Sequence, residues 1–349
     1  MPFSVSAAPS RAAPRALAIW LLVVAAMVFA IVVVGGITRL TESGLSIVEW
    51  DPILGTVPPL THAQWQAAFD GYKAIPQYHA FNQGMTLDGF RHIFFWEYLH
   101  RLLARMIGTV LGLVLLVFWW RRRIPAGYGW RVLLILALGG LQGVIGWWMV
   151  ASGLQFRTEV SHIRLAVHLS AAMLIYAVLI WTALDLLALD RRGTDARARL
   201  RPWPALALLM LAGQIVLGAF TAGLRAGYAF ASWPLMGERL FPDGGWLDGK
   251  GLVANLVSNP IVVQFVHRWW AWAVAVAAVL LALAARRAGE RRAPVVLVAL
   301  VALQILLGIL TLLSGVRIEV AVAHQAVAAL LLGAMVWTAH GLGRSRAVR

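Results

Sequence analysis

Four histidines carry the chemistry this chain can do: His100, His168, His267 and His324. His100 sits in EYLHR (97–101) and His267 in QFVHR (264–268), 167 positions later, and each string leads into an apolar run. His168 ends RLAVH and His324 ends VAVAH, again within apolar runs. Ionisable side chains are costly in a bilayer, so four of them placed in duplicate need a cause. An imidazole nitrogen is a metal ligand, and imidazoles projecting from facing helices at one level are how a helical bundle holds a haem. With no cysteine in 349 residues, iron–sulfur clusters, thiolate ligands and disulfides are excluded. No acidic cluster accompanies the histidines to suggest zinc. The residues alone predict two haem sites, each held by a pair of imidazoles.

The elements that must position them follow from composition. Hydrophobic residues make up 61% of the chain and charged residues only 13%, too apolar a mix for a soluble globular protein. About 20 helical residues cross the hydrocarbon core, and apolar runs of that order lie at 17–36, 97–120, 131–150, 163–188, 203–222, 263–285, 294–314 and 320–341. Backbone in lipid must satisfy its own polar groups, so these are eight helices and the class is an all-α integral membrane protein. LQGVIGWWMVASG (141–153) matches LQILLGILTLLSG (303–315), pairing Gln142 with Gln304, Gly146 with Gly308 and Ser152 with Ser314. Each half is therefore a four-helix bundle with one histidine on its second helix and one on its fourth, inside the first two turns. An even number of spans per half gives a parallel repeat. The expected layout is a tail 1–16, a bundle 17–190 with an outer loop 39–96, a linker 191–202, a bundle 203–341 with an outer loop 223–262, and a tail 342–349.

Charge sets the orientation. Eighteen of the 30 Lys and Arg fall in one set of short segments, from Arg11 and Arg15 through the RRR at 121–123 and the stretch after Arg191 to the RSRAVR end. Eleven of the 15 acidic residues fall in the other set. The positive-inside rule then places both termini in the cytoplasm and the histidines towards the opposite face. The net charge of +15 is accounted for by this topology and by anionic lipid, so no nucleic-acid partner is expected. The Arg- and Ser-bearing start of the chain reads as a short tail, not a presequence. The long outer loops, rich in Trp, Tyr, Phe and Pro, read as lids or partner surfaces.

Further residues surround the four. Arg39, Arg101, Arg105, Arg164, Arg225 and Arg268 map to outer helix ends, where a guanidinium can fork onto a haem propionate or snorkel to lipid phosphate. Glu97 aligns with Gln264, so only the first half can titrate at this position. Glu97 lies three residues before His100, on the same face and about 4.5 Å along the axis. A partly buried glutamate with a raised pKa can move protons, while an intrahelical pair with Arg101 is the bland reading. The asymmetry assigns chemistry to the first half and a resident redox cofactor to the second. His162 stands about 240° around the helix from His168 and cannot share its iron. His62, His79 and His92 fall in the outer loop, and His340 at the inner end of the last helix.

GGITRLTESGLSIVEWDPILGTVPP (35–59), EYLHRLLAR (97–105), LQGVIGWWMVASGL (141–154), RLAVHLS (164–170), AGLRAGYAFASWPLMGE (222–238) and QFVHR (264–268), in this order, carry a resemblance. From about Trp20 to His340 the chain resembles the haem A synthase family, in its cysteine-free subgroup. The resemblance implies oxidation of the C8 methyl of haem O to a formyl group, for cytochrome oxidase biogenesis. It implies that His100 and His168 flank the substrate haem O, that His267 and His324 ligate a haem b, and that Glu97 is the essential carboxylate. It also implies haem O synthase and cytochrome oxidase assembly factors as partners and a bacterial inner membrane as location; a homo-oligomer is compatible. Read without the resemblance, the residues stop at a dihaem membrane oxidoreductase, with a quinol-oxidising cytochrome b-type carrier or a haem transporter or chaperone still open.

Overall fold

A computed structural model describes residues 12–51, 54–193 and 197–344. Arg11, residues 194–196 of the expected linker and the tail beyond Arg344 lie outside the described residues. The helices are α1 (Pro14–Leu40), α2 (His62–Lys73), α3 (Pro76–Phe81), α4 (Leu87–Trp120), α5 (Gly129–Ala151), α6 (His162–Arg192), α7 (Pro202–Gly223), α8 (Leu252–Ser258), α9 (Pro260–Arg287), α10 (Arg292–Leu313) and α11 (Ile318–Arg344). Among the described residues the only β pairing is an isolated bridge between Met236 and Arg239. Eight helices, α1, α4, α5, α6, α7, α9, α10 and α11, are long and apolar enough to cross a bilayer.

Local sequence explains where these helices begin. Proline occupies the first helical position of α1, α7 and α9, where its missing N–H costs nothing. The Thr86 hydroxyl accepts the Gly89 N–H at 3.2 Å and Asp88 follows in the first turn, so α4 starts ten residues before the expected 97. Two expectations change as a result. His100 lies more than three turns into its helix, not within the first two, while His168, His267 and His324 lie where expected. Much of the segment taken for an outer loop at 39–96 is helical as well: α2 is closed by a capping box between Thr61 and Gln64.

α1 packs against α4, α6 and α11; α6 also touches α5 and α7; α9 lies between α7 and α10; and α11 reaches α7, α9 and α10. α1, α6, α9 and α11 bury the most of their length, leaving α4, α5, α7 and α10 with broad apolar faces outward. Between the inner helices the core is lined by small residues such as Ala277, Ala278, Ala282, Ala329 and Ala334. Lipid tails are as apolar as leucine, so close backbone approach and dispersion, not transfer from water, hold such helices together. One tight approach is at Gly223, where an added Cβ would stand 2.6 Å from the His162 Cβ and 2.8 Å from its Cα. A second apolar cluster, Leu45, Phe69, Tyr72, Ile75, Phe90, Ile93 and Phe94, seats α2 on the extension of α4. Trp65 packs edge-on to Phe94 there, with ring centroids 4.9 Å apart.

Candidate functional site

Each of the four histidines lies edge-on against a glycine of the preceding membrane helix. A Cβ at Gly35 would stand 2.9 Å from His100 Cε1, at Gly146 2.9 Å from His168, at Gly218 3.2 Å from His267 and at Gly308 3.0 Å from His324. At Gly35 and Gly146 only glycine admits the imidazole this close to a helix backbone, while at Gly308 and Gly218 a Cβ would require the ring to give by a few tenths of an ångström. One turn before the glycine, three of the four helices carry a glutamine. Gln142 Nε2 lies 3.2 Å from His168 Nδ1 and 2.8 Å from its main-chain oxygen, and Gln214 lies 3.1 and 3.0 Å from the same atoms of His267. Gln304 Nε2 stands 3.4 Å from His324 Nε2. At His100 the corresponding residue is Ile31, which brings no side-chain partner to the ring. His100 has His168 among its electrostatic neighbours, and His267 has His324. All four residues are half-buried, yet Nδ1 of His100 and Nδ1 of His324 are sealed from solvent with no hydrogen-bond partner.

The residues beside His100 and His267 do matching work on opposite polarity. Glu97, 3% exposed, accepts from the Ser46 hydroxyl at 2.7 Å and the Ile47 N–H at 2.9 Å. Gln264, 1% exposed, donates to the carbonyls of Phe230 at 3.1 Å and Gly227 at 3.4 Å. Both clamp the segment that follows the first membrane helix of their half. The carboxylate faces a stretch that offers donors and the amide one that offers acceptors. The next arginine reinforces each clamp. Arg101 pairs with Glu97 at 2.7 Å and donates to the Ile47 and Glu49 carbonyls, while Arg268 donates to those of Phe230, Ser232 and Leu235. The pair of Glu97 with Arg101, set out above as the bland reading, is therefore present.

The remaining sequence-flagged arginines also hold the outer face together. Arg105 donates to the Asp51 carbonyl at 2.7 Å, and Arg164 to the Trp148 carbonyl at 2.7 Å with its guanidinium over the Trp148 ring. Glu159 pairs with Arg39 at 2.9 Å and with Arg225, which also holds Glu42 at 2.5 Å. Burial works against the charge on Arg225, but Glu159 and Glu42 outweigh it and hold its pKa above the usual arginine value. His162 stands apart from the four, its Nε2 3.4 Å from the Ser258 hydroxyl and its ring edge-on to Phe220.

Sequence reasoning missed a second polar cluster. Asp185, fully buried in α6, binds Arg131 at 2.5 Å, His340 Nε2 at 3.0 Å and the Ala198 N–H at 2.8 Å. It joins α5, α6, α11 and the segment before α7 at the end of the molecule away from the four rings. A lone Asp in an apolar helix was the available signal. Gly35, Gly218 and Gln214 were missed too, because the matched strings left out the first helix of each half.

Eight helices long and apolar enough to cross a bilayer, with two pairs of imidazoles seated between them in apolar surroundings, define the class, a multi-pass membrane protein. The chain belongs to the COX15-CtaA family of cytochrome oxidase assembly proteins, whose profile matches residues 18–336. Heme A synthase of Rhizorhabdus wittichii is 63% identical over 345 residues, covering 98% of this chain and 99% of that one. Heme A synthase of Sphingopyxis alaskensis is 51% identical, covering 99% and 98%, and that of Caulobacter vibrioides is 47% identical, covering 91% and 93%.

Proposed function

We propose that this chain is a haem A synthase that oxidises the C8 methyl of haem O to a formyl group, by two hydroxylations and loss of water. One observation carries the reading: four imidazoles in two pairs each lie with the Cε1–Nδ1 edge against a helix glycine, so that Nε2 is the ring nitrogen turned furthest from that backbone. An imidazole nitrogen held in apolar surroundings and turned away from the neighbouring backbone is what a haem iron would take as its ligand. Among the described residues no group of three or more His, Cys, Asp or Glu side chains gathers as a metal cluster. A porphyrin, which brings four nitrogens of its own and asks the protein only for axial ligands, fits two imidazoles better than a bare ion does.

His100 and His168 are then the seat of the substrate haem O, and His267 and His324 hold a resident haem b. The haem chemistry supplies an oxidising power that no side chain possesses. The chain's own residues orient and seal. Gly35, Gly146, Gly218 and Gly308 set the depth of each ring, and Arg39, Arg101, Arg105, Arg164, Arg225 and Arg268 gather cationic donors at the outer mouth, where carboxylate side chains of a haem emerge. Glu97, one turn from His100 and sealed from solvent, sets its carboxyl group beside the reacting half as the proton-transfer group, with Ser46 and Arg101 fixing it. We read the eight spans as two parallel four-helix repeats, with both termini in the cytoplasm of a bacterium and the rings near the periplasmic face. The partners this implies are haem O synthase and cytochrome oxidase assembly factors.

The test is expression beside a haem O source, followed by haem extraction. The alcohol and the aldehyde of haem O are the expected products; a dihaem electron carrier or a haem transporter would return haem O unchanged. Glu97→Gln is expected to keep haem b and stop product formation. Normal haem A from that variant would remove Glu97 from the mechanism.

A further inference from the structure

The glutamine-and-glycine rule holds at three imidazoles and breaks at one. Gln142 precedes Gly146 by four residues, Gln214 precedes Gly218 and Gln304 precedes Gly308, so one helix face presents both the gap that admits the ring and the amide that meets it. On α1 the same spacing gives Ile31 and Gly35. The gap is kept and the amide is gone. His100 is left without a side-chain amide, and its buried Nδ1 has no partner. An amide can offer either its N–H or its oxygen to a ring nitrogen, so it can hold an imidazole with or without a proton there. In each of the three glutamines Oε1 is buried without a partner, leaving that end free to serve the ring.

We propose that Gln142, Gln214 and Gln304 are positioning residues that fix three of the four imidazoles, and that His100 is the unfixed one, able to swing away and admit a small neutral molecule such as dioxygen to the first site. The inference rests on the proposed haem reading and deepens it. It places the opening in the half that also holds Glu97, and it leaves both ligands of the second site fixed, as a permanent electron-carrying site requires. It also gives α1 a reason to differ: a glutamine at 31 would complete a lock that this position leaves out.

The experiment uses carbon monoxide as the probe, on purified, haem-loaded, dithionite-reduced protein from a host that makes haem O. Wild type is expected to bind carbon monoxide at one haem only, assigned to the first site by its absence in His168→Ala. Ile31→Gln should retain the haem content and slow that binding about fivefold, the effect of one net hydrogen bond on the open fraction. Ile31→Leu should keep the wild-type rate. Gln214→Leu should open the second site, so that a second haem binds carbon monoxide, and this arm decides alone should Ile31→Gln fail to assemble. The proposal is overturned by wild type binding equally at both sites, by a wild-type rate in Ile31→Gln, or by a second site still closed in Gln214→Leu. Failure of the underlying reading looks different: His100→Ala and His168→Ala would then carry as much haem as wild type.

Discussion

At the residue scale the molecule turns on ring-to-glycine contacts, and these grade the outcome of adding a methyl group. An alanine at Gly146 would put its Cβ 2.9 Å from His168 Cε1, closer than real Cβ atoms come, whereas at Gly218 the contact with His267 would be 3.2 Å, which a small give can absorb. Gly146→Ala should therefore displace its imidazole and lower first-site haem occupancy by more than half. Gly218→Ala should keep its haem and show only a shifted absorption band, both read by pyridine haemochrome assay and optical spectra. Asp185 makes a different kind of prediction. Asp185→Ala strips Arg131, His340 and the Ala198 N–H of one shared acceptor and should cost roughly 3 kcal/mol, seen as a lowered unfolding midpoint in detergent. The four ring ligands were legible in the sequence because they recur in matched strings. Asp185 and His340 were not, because 155 positions separate them and neither has a counterpart in the other half.

At the element scale, glycines set how closely helices approach, and the nature of the neighbour decides the cost. At Gly223 a Cβ would meet the backbone of His162, which cannot move aside, so Gly223→Ala should push α7 off α6 and sharply reduce the yield of folded protein. At Gly36 the neighbour is the tip of Gln325, whose amide donates to the Val32 carbonyl at 2.7 Å and bridges α11 to α1. That tip can swing away, so Gly36→Ala should cost about 1 kcal/mol, one lost hydrogen bond, and leave expression near normal. Comparative yields by fluorescence-detected gel filtration check both. The spans themselves were readable to within a few residues at most ends, since apolar length is a strong signal. The start of α4 was not, because Phe90, Arg91, His92 and the aromatic run to Trp96 mix polar and apolar residues as a loop would. What overrides that mixture is the Thr86 cap and the burial of Phe90 and Phe94 under α2.

At the scale of the whole molecule, orientation is the first thing to test, and the chain's lack of cysteine makes the test clean. A single cysteine at Lys250, exposed in the segment before α8, should react with a membrane-impermeant maleimide on intact cells. One at Arg122, exposed in the turn after α4, should react only after lysis. The reverse pattern would invert the proposed topology. The two clamps bear on how freely the halves could trade parts. Glu97 and Gln264 are each matched to the strand of main chain they grip, one reading hydrogen donors and the other carbonyl oxygens. A chimera that grafts the first half's outer segment onto the second would set N–H and O–H donors against the Gln264 amide, which can meet them only by turning its one buried, unpartnered Oε1 towards them, so Gln264→Glu, with two acceptor oxygens, should seat the graft better. The two outer segments are thus keyed cartridges: each is cut to the polarity of the one buried side chain that grips it.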